Sequence, residues 1–181
     1  MKIDAVSETR KQAVRSLSGW EQQLDERLAH FGHRNWLVVA DAAYPAQCNA
    51  GIQTILSGES QQTVLESLFA RLRTCRHVRP LFHLDHELDF VAEVDAPGVD
   101  RYRAWLNTAL DGQNVCRTPH EEIIAKLDEA AQMFSILIVK TGMTIPYTSV
   151  FVELDCGYWD EASEARLRAA IRHQAGGESK S

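Results

Sequence analysis

With 181 residues, 45% of them hydrophobic, the chain has the size and apolar content of one globular domain with its own core. Its net charge of -6, with acids and bases intermixed, argues against nucleic acid as a partner, because phosphate binding leaves a basic face. No apolar run approaches the roughly 20 residues that span a bilayer, so no membrane segment is expected, and the opening Met1-Lys2-Ile3-Asp4 reads as too polar for a signal peptide. Cys48, Cys75, Cys116 and Cys156 are spread out, with no CxxC pair, and read as reduced thiols of a cytoplasmic protein.

In chain order, Val14, Leu17, Leu24, Leu28 and Phe31 repeat on a helical period from about Glu8 to Phe31, and Gly32 reads as the C-cap. Trp36–Ala40 is an uninterrupted apolar run and reads as a buried strand; Gly51–Leu56 reads as a second. Ser60 is placed to cap a helix through about Cys75 that carries Val64, Leu65, Leu68, Phe69 and Leu72 on one face. Leu81 to Asp89 reads as a polar stretch leading into Phe90–Val94. A helix is predicted from Val99 to Leu110, and another after Pro119, with Thr118 as its cap and Ile123, Ile124, Leu127 and Ala131 on its apolar side. Phe134–Lys140 and Ser149–Asp155 are the last strands, and Asp160–Gln174 a charged amphipathic helix before a frayed end at Gly176–Ser181. Alternating strands and helices predict a single α/β domain with a largely parallel sheet, helices on both faces, and helical extensions at both ends. The core spans about residues 28–157 and the helical tail 158–181.

In open α/β sheets, ligands collect outside the carboxyl ends of strands. Asp41 stands at the end of the first strand, and His33 precedes the same strand. A histidine and a carboxylate together can move a proton in both directions near neutral pH; the plainer reading is a polar turn with a capping acid. His120 begins a helix, Tyr147 follows Pro146 before the last strand, and Ser149 shares a face with Tyr147 if that strand has already begun. Asp155 ends its strand as Asp41 does, as a second site acid or a cap for the tail. His83, Asp85 and His86 lie within four residues, a spacing open to a metal, although a further ligand would have to come from elsewhere. Cys48 reads as an inert thiol, since no base stands beside it. There is no GxGxxG, P-loop or GxSxG to support nucleotide binding or hydrolase chemistry.

The order Gly32-His33, apolar strand, Asp41-Ala42-Ala43-Tyr44-Pro45-Ala46, Pro119-His120-Glu121, Thr141-Gly142 and Pro146-Tyr147 before a last apolar strand resembles the D-ribose pyranase and L-fucose mutarotase family. The resemblance runs from about Leu28 to Gly157, strongest at the two ends and thin over Phe82–Pro97. It implies an isomerase without cofactor or metal that interconverts ring forms or anomers of a free monosaccharide. It also implies a ring-shaped homo-oligomer with the site near the boundary between neighbours. His33 matches the family's catalytic histidine, Asp41 the acid after the first strand, His120 the histidine of the ribose branch and Tyr147 the sugar-contacting tyrosine. Tyr44-Pro45-Ala46 looks more like the fucose branch. Where the family usually has asparagine this chain has Ser149, which removes an amide able to hold two hydroxyls. A non-catalytic sugar-binding module on the same fold and a metal-dependent enzyme centred on His83, Asp85 and His86 are the alternatives.

Overall fold

The computed structural model describes residues 19–177, without the side chains of 174–177. The expected helical start at Glu8 and the chain end from residue 178 lie outside them. Helix α1 (Gly19–His30) leads into β1 (Trp36–Ala40), which lies inside a six-stranded sheet. Its neighbours are β5 (Ile136–Lys140), parallel to it, and β6 (Val150–Cys156), antiparallel. Outward from β5 lies β2 (Ile52–Leu56), parallel. Outward from β6 come β3 (Val78–Asp85) and then β4 (Val115–Thr118). Five strands therefore run one way and β6 alone runs against them, so the sheet is largely parallel, as expected.

Every residue of β1 is buried, because both faces of the sheet are covered. Leu37 and Val39 point to the face packed by α1, α2 (Gln61–Leu72) and α3 (Val99–Ala109), where Leu24, Leu65, Leu68 and Leu106 are fully enclosed. Trp36, Val38 and Ala40 point to the other face, covered by Ile123 and Leu127 of α4 (His120–Ala130). Ser60 caps α2 as anticipated, its Oγ accepting the Thr63 N–H at 3.2 Å. The tail helix α5 (Glu161–Gly177) runs past Gln174, taking in Gly176 and Gly177, which were expected to lie beyond it; Leu167 and Ile171 on it are exposed.

Three local expectations change. The polar stretch from Leu81 is the second half of β3, an interior strand: Phe82 and Leu84 enter one core while His83 and Asp85 are buried on the opposite face. Their polar character hides the strand from a hydrophobicity reading, since their burial depends on partners distant in sequence. Beyond β3 the chain makes a 3-10 turn, His86–Phe90, and leaves Phe90 and Val94 on the surface. Thr118 ends the short edge strand β4 instead of capping α4, and the carboxylate of Glu87 takes the His120 backbone N–H with both oxygens at 3.1 Å. Finally, the residue with left-handed backbone in the turn before β1 is Arg34 (φ 71°), not Gly32.

Gly157 closes the far end of the sheet, where a Cβ would stand 2.5 Å from the Arg76 carbonyl oxygen and 2.9 Å from the Val78 nitrogen. Backbone atoms cannot step aside as a flexible side chain can. Gly157→Ala is expected to lose about 1–3 kcal/mol, the usual cost of overpacking, measurable by urea unfolding.

Candidate functional site

The carboxyl ends of β1, β3 and β5 open on one cleft of about 330 Å³, within the size range of small-molecule sites. Asp41 extends from β1, Asp85 ends β3, and His120 starts α4 directly after β4. The connection from β5 to β6, residues 141–149, must cross the end of β1, because β1 lies between those strands. That crossing carries Tyr147 and Ser149 over Asp41. Of the five residues singled out from sequence, the fold thus brings together Asp41, His120, Tyr147 and Ser149.

Each of these side chains is held by a specific contact. Ser149, buried, accepts the Asp41 backbone N–H with its Oγ at 3.2 Å and donates its hydroxyl proton to Asp41 Oδ2 at 2.9 Å. The other oxygen of Asp41 takes the Ala43 N–H at 2.8 Å, an Asx turn that fixes the start of the 41–47 loop. Lys140 Nζ secures the same loop through the Tyr44 carbonyl at 2.7 Å. Across the cleft His120 Nδ1 lies 3.0 Å from Asp85 Oδ1, and its ring meets Tyr147 edge-on, with centroids 5.7 Å apart. Tyr147 is half-exposed and has φ 59°, a left-handed backbone that a non-glycine residue adopts only when its neighbours impose it.

The imposing network lies directly beneath. Gln61, 1% exposed, donates from Nε2 to the Tyr102 hydroxyl at 2.9 Å and to the Thr148 carbonyl, which also accepts the Tyr102 hydroxyl at 2.9 Å. Thr141 Oγ1 lies 3.2 Å from Gln61 Oε1 and 3.0 Å from the Ala40 carbonyl. Burial pushes the Tyr102 phenol well above its ordinary pKa, so it remains a neutral donor. Sequence reasoning missed Gln61 and Tyr102, and grouped Asp85 with His83 and His86 instead of with His120. At helical or strand positions they carry no local mark of burial or pairing.

Asp85 is the most perturbed acid of the cleft. Burial raises its pKa to about 6; the hydrogen bond from His120 and that residue's positive form pull the other way, and the carboxylates of Glu87 and Asp41 add to the rise. Burial likewise lifts the Tyr44 phenol to about 12. The lining includes Asp41, Asp85 and Glu121 but no lysine or arginine.

His33 is elsewhere. It lies in the turn before β1, while Asp41 follows that strand, so the five residues of β1, about 17 Å of extended chain, separate them within one protomer. The proton-moving pair of His33 and Asp41 read from the sequence is therefore not an intrachain contact. Asp155 is likewise displaced: β6 runs antiparallel and carries its end to the His33 side, where Asp155 pairs with Arg79. The His83-Asp85-His86 group also disperses. His83 Nε2 approaches Glu153 at 3.2 Å and stacks on Trp36, Asp85 faces His120, and His86 meets Phe90. Among the described residues no three His, Cys, Asp or Glu side chains converge as a metal site. All four cysteines are free, Cys48 on the surface. Among the described residues no helix is long and apolar enough to cross a membrane.

A family model for the RbsD / FucU transport protein family matches residues 20–157. The chain belongs to this family. The match begins in α1 and ends at Gly157, leaving α5 outside it. Among solved structures, RbsD from Bacillus subtilis complexed with D-ribose aligns with a TM-score of 0.52 at 20% identity, over 77% of this chain and 94% of that one. FucU from Bifidobacterium longum gives 0.51 at 17%, over 74% and 92%. The fucose mutarotase of Streptococcus pneumoniae in complex with L-fucose gives 0.49 at 19%, over 74% and 91%. The first two likenesses show the fold. No curated protein matches the chain.

Proposed function

We propose that the protein is a cofactor-free mutarotase or pyranase that interconverts ring forms or anomers of a free, uncharged monosaccharide by general acid–base catalysis. One observation carries this reading: Asp41, its carboxylate held by the buried Ser149, and a hydrogen-bonded Asp85–His120 pair face one cleft together with Tyr147. Family membership and the ribose-bound relative support it. Opening a cyclic hemiacetal takes the proton from the anomeric hydroxyl, whose O–H electrons form the C1=O bond. The C1–O5 bond breaks with its electrons on O5, which takes a proton from an acid. Closure on the other face, or through another hydroxyl, reverses both transfers, so a base and an acid near neutral pKa suffice.

On this reading His120 is the proton acceptor supplied by the same protomer, Asp41 and Ser149 bind hydroxyls, and Tyr147 covers the sugar. His33 supplies the second proton carrier from a neighbouring copy in a ring-shaped homo-oligomer, which is the way for the two ends of β1 to meet. A monomeric mass by light scattering at working concentration would refute that assembly. Four free thiols suit work in the reducing cytoplasm. Three carboxylates without a lining lysine or arginine disfavour an anionic ligand, so sugar phosphates and sugar acids are not expected to compete.

Exchange spectroscopy by NMR on a panel that includes ribose, fucose and a phosphorylated sugar tests the reading. Cross-peaks between ring forms of at least one neutral aldose should grow with micromolar enzyme. If that aldose binds but no exchange is accelerated, the protein is a sugar-binding module. Tyr147→Phe removes one hydroxyl contact worth about 0.5–1.5 kcal/mol, so KM should rise about 2–10-fold with kcat little changed. Ser149→Asn restores the family's usual residue and should redistribute preference among aldoses; a uniform gain in activity would contradict that role.

A further inference from the structure

We propose that Asp85 is the positioning residue for His120, holding its imidazole as the Nδ1–H tautomer so that Nε2 faces the sugar as an unprotonated acceptor. The chemical consequence rests on the function proposed above; the tautomer does not.

Asp85 is 1% exposed, and among the described residues its side chain makes one hydrogen bond, to His120 Nδ1; Oδ2 is buried without a partner. A buried carboxyl that served the fold alone would be expected to have its oxygens satisfied, because unmet buried acceptors are costly. Here a polar group is buried for a single contact, and that contact is with a cleft histidine. An ionised carboxylate only accepts hydrogen bonds, so the ring nitrogen facing it carries the proton, and the other nitrogen keeps its lone pair. The second anchor is two residues on: Glu87 grips the His120 backbone N–H. One short segment, Asp85 to Glu87, thus fixes both the side chain and the main chain of His120. Tyr147 bounds the ring on a further side.

In ring opening, Nε2 takes the anomeric proton while O5 receives one from the acid carried by His33 of the neighbouring copy. The resulting imidazolium faces the Asp85 carboxylate. On closure it returns its proton to O1, and the attacking hydroxyl gives its own proton to the partner acid's conjugate base. Among the described residues, the other ionisable groups around the pair are Asp41, Glu87, Glu121 and the phenols of Tyr44 and Tyr147.

The test uses the full chain labelled with ¹⁵N at histidine, the His120 signals being assigned by their loss in His120→Asn. Long-range ¹H–¹⁵N correlation at pH 7.5 should give a protonated Nδ1 and a bare Nε2 in the wild type. Asp85→Ala should abolish that pattern, and the isosteric Asp85→Asn, which keeps an acceptor oxygen, should retain part of it. Where exchange is catalysed, kcat should fall about 10–100-fold in Asp85→Asn and further in Asp85→Ala, with KM within about threefold. An Nε2–H His120 in the wild type overturns the proposal, as does an unchanged kcat in both variants. If the wild type has the Nδ1–H tautomer but accelerates no sugar's exchange, the proposed function fails while the pairing stands.

Discussion

Mixing two inactive variants, His33→Ala and Asp41→Ala, is expected to restore ring-form exchange. His33→Ala removes a proton carrier and should slow exchange by about 10²–10⁴, and Asp41→Ala removes the carboxylate that holds the sugar's hydroxyls, without which the sugar is not positioned for transfer. Within one protomer β1 separates the two positions, so no intrachain site uses both. Were a site built between copies, with His33 from one and Asp41, Ser149 and His120 from the next, every site in either pure variant would lack a component. In randomly mixed rings of equal composition, about one boundary in four receives an intact His33 beside an intact Asp41. The mixed preparation should therefore recover about a quarter of wild-type exchange after co-refolding or co-expression, read by the same NMR exchange measurement. A mixture no more active than its components removes His33 from the mechanism. If His120→Ala is then inactive while His33→Ala is not, His120 with Asp85 is sufficient.

The second large effect is opposite in sign for stability and activity. Asp85→Asn should stabilise the fold at neutral pH while slowing exchange. Burial raises the folded-state pKa of Asp85 from 3.8 to about 6, so the folded protein holds this proton more tightly than the unfolded chain does. Below about pH 4 the carboxyl is protonated in both states and costs nothing. Between 3.8 and about 6 the unfolded chain ionises first, and the cost grows; above 6 it is complete, about 3 kcal/mol from the shift. Asparagine never ionises and so avoids that penalty. The expected gain is about 2–3 kcal/mol at pH 7.5, a rise of about 2–4 °C in Tm per kcal/mol for a chain of this size. It should vanish as pH falls towards 4. Thermal melts of both proteins across that range check the sign; a variant less stable than wild type at pH 7.5 contradicts it. A residue that lowers stability where it stands fits a functional site better than a structural one.

Much of the architecture is legible in the chain. The β1 run Trp36–Ala40, the β5 run and the Ser60 cap of α2 are local signals, set by hydrophobic spacing and by a hydroxyl reaching a backbone N–H three residues on. β3 was not legible, because its inner positions His83 and Asp85 are polar and become buried only through Glu153, Trp36 and His120, from 35 to 70 residues away. β4 was too short and too half-buried to show a period.

The same division holds at the site. Asp41, His120, Tyr147 and Ser149 could be picked out as residue types at strand and helix ends, and the sequence by itself determined that a carboxylate, an imidazole, a phenol and a hydroxyl stand at such ends. Which ends coincide was decided by strand order and direction. Because β1 lies between β5 and β6, the 141–149 crossing brings Tyr147 and Ser149 to Asp41. Because β6 runs antiparallel, Asp155 is carried away to the His33 side. Because β3 pairs with β4 in parallel register, with Asp85 opposite Thr118, Asp85 comes within 3.0 Å of His120. Hydrophobic period and capping act over a few residues and are written in the local sequence, whereas pairing and direction are set by how whole strands share hydrogen bonds across the sheet.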